Sequence, residues 1–211
     1  MSAINLPVKK MWADNSILNN VVSKIWLLVF YGLAIISFPQ ATLAGEDNPE
    51  KIPDRYGLSV NIGNTYDPSG DTGFVLLTGF ALFDYDKIWP HAAPEALRFK
   101  VEASAGSTWT KDKDFMASAS IFALYYLDRL AKGSWRPYVE GGIGGIYTEW
   151  KVDGQGSHLN FNPQLGIGTE VTAGPAATYL VALRLHHISN AGLDKDNRGA
   201  NSIVFVIGRF F

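Results

Sequence analysis

Apolar and polar residues alternate along most of the chain after residue 45. Leu97, Phe99, Val101, Ala103 and Ala105 alternate with Arg98, Lys100, Glu102, Ser104 and Gly106. Leu58, Val60 and Ile62 alternate with Ser59, Asn61 and Gly63. Leu159, Phe161, Leu165, Ile167 and Val171 share one parity, and Asn160, Asn162, Gln164, Gly166, Gly168 and Glu170 share the other. A period of two is the signature of a strand with two unlike faces. No segment here sustains a helical period. The pattern predicts eight strands, near 55–66, 72–84, 95–108, 113–127, 135–150, 157–173, 176–190 and 201–211. The stretch from Phe115 to Tyr125 alternates less cleanly, and Phe74 to Phe83 is apolar on both faces. Many of these strands exceed the usual length of about 5–6 residues.

Long alternating strands joined by turns such as Ala173-Gly174-Pro175-Ala176 fit an up-and-down barrel, either soluble or membrane-spanning. The charges decide between the two. Arg98, Lys100, Glu102, Glu140, Glu170 and Arg184 lie on the polar parity, where a lumen lets them pair. The same groups would be costly against lipid. In the last segment Ile203, Phe205, Ile207 and Phe211 share a parity, and the chain ends on Phe211. A terminal aromatic on an alternating last strand looks like the assembly signature of bacterial outer-membrane proteins. Arg209 breaks that stripe near the rim, where a long side chain can snorkel. Trp89, Trp109, Tyr147 and Trp150 read as an interfacial belt. The expected fold is therefore all-β, an eight-stranded antiparallel up-and-down transmembrane β-barrel. A soluble lipid-binding barrel would instead turn the apolar parity inward.

Residues 1–44 read as a signal peptide and residues 45–211 as the barrel domain. Lys9, Lys10 and Lys24 precede and flank an apolar run from Ile25 to Ile36, Pro39 breaks it, and Thr42-Leu43-Ala44 offers small residues for cleavage. That run falls short of the roughly 20 residues that span a bilayer as a helix. Composition agrees with a barrel: 13% aromatic, 18% charged, 21 Gly and no Cys. A formal net charge of −2 without a basic block argues against nucleic acid. The absence of Cys excludes disulfides and thiolate metal sites. His91 and His158 have no neighbours at ligand spacing, so neither a metal nor another cofactor is expected. Gly141-Gly142-Ile143-Gly144-Gly145 does not complete a dinucleotide fingerprint and reads as a strand thinned for bulky neighbours.

Candidate chemistry sits in Leu183-Arg184-Leu185-His186-His187-Ile188-Ser189-Asn190-Ala191-Gly192-Leu193. In a strand His187 and Ser189 point to the same face, roughly 6.6 Å apart along the chain. A hydroxyl within reach of an imidazole is a nucleophile paired with a base. Tyr179, Val181, Leu183 and Leu185 share that face, so the pair continues an apolar stripe and suggests a greasy substrate. His186 has the opposite parity and reads as a hydrogen-bonding residue of the lumen.

The run His187-Ile188-Ser189-Asn190-Ala191-Gly192-Leu193, followed by Asn197-Arg198-Gly199, resembles the lipid A 3-O-deacylases of the PagL family. Trp135-Arg136-Pro137-Tyr138-Val139-Glu140-Gly141-Gly142-Ile143-Gly144 is similar to that family's central strand. The resemblance implies a serine esterase that hydrolyses the 3-O-linked acyl chain of lipid A, with a Ser-His-acid site on the outside of the barrel near its outer-leaflet end. It implies lipid A or lipopolysaccharide as substrate and the outer membrane as location. His187 and Ser189 match the family's base and nucleophile. At the position of the family's acid, usually Glu, this chain has Asn201. The parity of Asn201 matches Phe205 and Phe211, and it is expected across the final hairpin from Ser189. Asn orients an imidazole by hydrogen bond but brings no charge. Asp194 and Asp196 in the loop are the alternative third members. Asn190, Gly192 and Asn197 are candidate oxyanion donors, or they only shape the loop. The competing reading is a non-catalytic small outer-membrane barrel for adhesion or envelope structure. Association as a homodimer is left open.

Overall fold

The computed structural model describes residues 55–68, 72–109, 113–174 and 177–211. The expected signal peptide lies outside them. The strands are β1 (Arg55–Asp67), β2 (Gly73–Asp84), β3 (Leu97–Thr108), β4 (Phe115–Tyr126), β5 (Trp135–Thr148), β6 (Leu159–Phe161), β7 (Gln164–Thr172), β8 (Thr178–Ile188) and β9 (Ala200–Phe210). Each pairs antiparallel with its neighbours, and the pairings β1–β9 and β4–β5 close the sheet into a barrel. β6 and β7 are two parts of one barrel strand. The register is unbroken between them, with Phe161 opposite Gly145 and Ser189, and Gln164 opposite Gly142 and His186. The ladder lapses at Pro163, which has no N–H to give; its carbonyl still accepts from His187 N at 3.0 Å. The barrel therefore has the eight strands that alternation predicts. A short helix α1 (Tyr85–Ile88) and a 3₁₀ turn (Asp128–Leu130) occupy connections at the end where β1 starts and β9 finishes, the terminal end. At that turn Arg136 donates to both oxygens of Asp128, which holds the carboxyl below its ordinary range.

Parity is realised with the apolar face outward. Leu58, Val60, Ile62, Leu77, Leu165, Ile167, Leu183, Leu185, Ile203, Phe205 and Ile207 are exposed on the outer wall. Exposed rings bound this band. Tyr56, Tyr125, Trp135, Tyr179 and Phe211 ring the terminal end, and Tyr66, Trp109, Phe115, Tyr147 and Phe161 ring the opposite end. From Tyr179 to Ser189 β8 climbs roughly 33 Å, or about 25 Å in height at the usual tilt, which matches the apolar band of an outer-membrane barrel. An outward apolar face removes the soluble lipid-binding alternative. Trp150 corrects the expected belt, because it is partly buried and packs on the interior cluster.

The lumen is packed. Phe74, Leu76, Phe80 and Leu82 fill one side, which explains why β2 reads as apolar on both faces. At mid-height Arg184 donates to Glu102 at 2.7 and 2.8 Å and to Glu140 at 2.7 Å. Lys100 bonds Glu102 at 3.0 Å and also Glu140. These four charges are nearly inaccessible, and they persist because each faces an opposite charge. Glu170 pairs with Arg55 at 2.8 Å and accepts from Tyr126. Arg98, expected in this network, sits at the mouth and pairs with Asp84 at 2.7 Å. His186 is buried, with its ring edge against Phe74. It faces the lumen as expected, but its Nδ1 makes no hydrogen bond among the described residues, so the expected hydrogen-bonding role is not seen there.

Candidate active site

The site lies on the outer wall at the end opposite the termini, where β7, β8, β9 and β1 run side by side. Neighbouring strands there place Pro163, His187, Asn201 and Asp67 in one row. His187 Nδ1 is 2.7 Å from Asn201 Oδ1. Asn201 Nδ2 donates to Asp67 Oδ2 at 2.9 Å. Arg198 donates to the other oxygen of Asp67 at 2.8 Å.

Ser189 is bridged to Phe161, with Ser189 N donating at 3.1 Å and Phe161 N at 2.8 Å. The hydroxyl is thereby held level with the aromatic ring of the site end. Continuing the β8–β9 register one step past Ile188 and Ala200 puts Gly199 across from Ser189. Asn201 faces His187 and not Ser189, two residues along the strand from the expected partner. The imidazole leans over Gly199: a Cβ there would lie 2.5 Å from His187 Cε1 and 3.1 Å from Nε2. Nε2 is thus turned toward the level of Ser189. His187 and Ser189 share the face, but no hydrogen bond joins them among the described residues. In substrate-free sites such bonds are often long and tighten with substrate.

The loop from Asn190 to Gly199 is braced by its own polar groups. Asn190 is 1% exposed. Its Nδ2 donates to Asp196 O at 3.0 Å and its Oδ1 accepts from Gly192 N at 2.9 Å. Its backbone N–H donates to Asn197 Oδ1 at 2.9 Å. The three candidate oxyanion residues are brought together, but the backbone donors of Asn190 and Gly192 are already engaged. Ala191 adopts φ 54° between them, and Gly192 follows at φ 79°. Asp194 accepts from Asp196 N at 3.0 Å, and neither aspartate contacts the imidazole among the described residues.

An open groove of about 370 Å³ starts at the imidazole and is walled by Tyr66, Pro163, Leu165 and Leu185. Leu165 pairs with Leu185, and Ile167 with Leu183 in the next step. There a second groove of about 430 Å³ begins, walled by Val139, Val181 and Phe205. The two grooves lie on successive rows of the outer wall below the site, an apolar track of neighbouring side chains.

A family model described as Lipid A 3-O-deacylase (PagL) matches residues 78–209, most of the barrel and the whole His187–Asn201 hairpin. The chain belongs to the lipid A 3-O-deacylase (PagL) family. A solved structure described as the outer membrane enzyme PagL is 25% identical, covers 72% of this chain and 97% of its own, and superposes with a TM-score of 0.51. Neisserial surface protein A (NspA) superposes at 0.56 with 13% identity, covering 74% of this chain and 94% of its own, and shares the fold alone. No curated protein matches significantly. This PagL-family barrel is an outer-membrane protein.

Two residues of this candidate site escaped the alternation pattern. Asp67 has the parity of Ser59, Asn61 and Thr65, which face the lumen. A bulge shifts the register between Thr65, opposite Ser202, and Asp67, opposite Asn201, and turns Asp67 outward. Bulges re-aim side chains in this way, and alternation cannot reveal them. Gly199 was visible only as a loop glycine. The space its missing side chain leaves for the imidazole depends on how the hairpin folds, which residue parity does not carry.

Proposed function

We propose that the protein is a serine esterase that removes the 3-O-linked acyl chain of lipid A in the outer leaflet of the outer membrane. The observation that carries this reading is the imidazole of His187, fixed by Asn201 on the face that also bears Ser189, at the top of an apolar track. A lipid ester at the sugar–acyl boundary meets the hydroxyl while its chain stays on the outer wall. Membership of the PagL family supports the same substrate.

Nδ1 of His187 carries a proton toward Asn201 Oδ1, which leaves Nε2 as the base. Ser189 Oγ attacks the ester carbonyl carbon and Nε2 takes the hydroxyl proton. The tetrahedral intermediate collapses by breaking the bond to the sugar oxygen, and His187 returns the proton to that oxygen. The sugar leaves with a free hydroxyl and the acyl group stays on Ser189. Water then attacks with its proton passing to His187, and the fatty acid departs as Ser189 regains its hydrogen. Asn190, Gly192 and Asn197 act in this scheme by shaping the loop beside Ser189. Their engaged hydrogen bonds favour bracing over an oxyanion contact in the resting site.

Mass spectrometry of lipid A from cells with and without the protein tests the reading. The expected result is loss of one 3-O acyl chain, abolished by Ser189→Ala and by His187→Ala with the barrel still assembled. Deacylation that survives Ser189→Ala removes the mechanism. No deacylation by the folded native protein favours the non-catalytic barrel.

A further inference from the structure

We propose that Asp67 is a positioning residue of this site, acting through Asn201 to set the tautomer of His187 and to supply the charge that Asn201 lacks. The proposal rests on the reading of Ser189 and His187 as nucleophile and base.

Which atoms can donate decides the orientation of the Asn201 amide. A carboxylate only accepts. Asp67 Oδ2 at 2.9 Å from Asn201 therefore selects the amide nitrogen and fixes the flip of the side chain. The amide oxygen must then face the imidazole, where it lies 2.7 Å from Nδ1. An amide oxygen also only accepts, so Nδ1 carries the proton and Nε2 is free to receive one from Ser189. Without Asp67 the amide can turn over and present its NH₂ to the ring. Nδ1 would then accept, and Nε2 would hold the proton, which is the wrong tautomer for a base.

The same chain carries charge. As the imidazole becomes imidazolium, its Nδ1–H bonds more strongly to Asn201 Oδ1. That polarises the amide and strengthens the bond from Nδ2 to Asp67. No proton crosses the amide. Arg198 holds the second carboxylate oxygen at 2.8 Å and fixes its orientation. The side chains of Asp67 and Arg198 are 48% and 50% exposed. The ionised pair thus sits at the wet rim, while neutral Asn201 takes the drier place beside the imidazole. The bulge between Thr65 and Asp67 serves this arrangement, since without it the carboxylate would face the lumen.

The experiment compares four full-length proteins refolded in detergent: native, Asp67→Asn, Asn201→Glu and the double variant, with Ser189→Ala as control. Lipid A deacylation gives kcat and KM. Asp67→Asn is expected to lower kcat about 10–100-fold with little change in KM, the size of loss seen when the hydrogen-bond partner behind a metal-bound histidine is removed. In the Asn201→Glu background a carboxylate reaches the imidazole directly, so Asp67→Asn is expected to be neutral or beneficial. An equal loss in both backgrounds makes Asp67 a loop brace and overturns the proposal, as does a silent Asp67→Asn in the native background. Nitrogen-15 spectra of the histidine rings, assigned with His187→Ala, read the tautomer without reference to activity. They are expected to show Nδ1–H in the native protein and a mixture in Asp67→Asn. An unchanged tautomer overturns the relay even if the esterase stands. Activity retained in Ser189→Ala removes the esterase reading and leaves the spectra to judge the relay.

Discussion

Replacing Gly199 with Ala tests the geometry of the site with a single methyl group. The added carbon would lie 2.5 Å from His187 Cε1, 3.1 Å from Nε2 and 3.2 Å from Ile188 O. Carbon atoms in contact settle at about 3.5–4.0 Å, so the ring must retreat by about 1 Å. A retreat of that size takes Nδ1 from 2.7 Å to beyond hydrogen-bond range of Asn201 and moves Nε2 away from Ser189. Misplacing a catalytic group by about 1 Å can lower the rate about 100-fold. The barrel itself should tolerate the change, because the shortest contacts fall on a ring at the surface and Gly199 lies in the loop ahead of β9, outside the barrel ladder. Gly145→Ala is the control on the same barrel, since its added carbon meets nothing within 4 Å. Turnover of lipid A, followed by mass spectrometry, is compared with heat-modifiable migration on gels, which reports the folded barrel. Gly199→Ala is expected to migrate as folded and turn over about 100-fold more slowly, with Gly145→Ala close to native. Full activity in Gly199→Ala would show that the ring is not placed where the argument needs it.

Further predictions concern the third member and the wall. Asn201→Ala should lower turnover about 10–100-fold while Asn201→Glu keeps or raises it, measured on the same substrate; a silent Asn201→Ala with a crippling Asp194→Ala or Asp196→Ala would move the third member into the loop. Leu183→Arg puts a charge on the lipid-facing wall and should cost about 2–4 kcal/mol near mid-bilayer, read from urea titrations of folding into vesicles. An unchanged midpoint would mean that this face does not meet lipid. Arg184→Met strands Glu102 and Glu140 in the lumen and should destabilise by about 3–5 kcal/mol in the same titration, or slightly less where Lys100 compensates. A stable Arg184→Met barrel would show that the network does not depend on its guanidinium.

The barrel was legible because its strands are long and each solvent or lipid face repeats every second residue. Leu183, Leu185 and Arg184 declare their faces by parity alone, and the eight predicted spans lie close to those observed. The same rule failed wherever period two failed. Asp67 sits past a bulge and lands on the face opposite to its parity. Trp150 lies past the end of β5, where its direction follows the loop and not the strand. Arg98 has the lumen parity but stands at the mouth, so its partner is Asp84 and not the mid-height glutamates. In the site, parity put His187, Ser189 and Asn201 on one face. It did not show that Asn201 stands across from His187, because that depends on the length and internal bonding of the Asn190–Gly199 loop.

The central claim is that Ser189 becomes acylated by lipid A. The direct measurement is the intact mass of the folded protein, quenched within the first turnover after mixing with lipid A, followed by peptide mapping. The expected result is one added acyl group on Ser189 that decays as fatty acid appears, and no such adduct in His187→Ala. Fatty acid release with no adduct at any time, or an adduct on a residue other than Ser189, would contradict it.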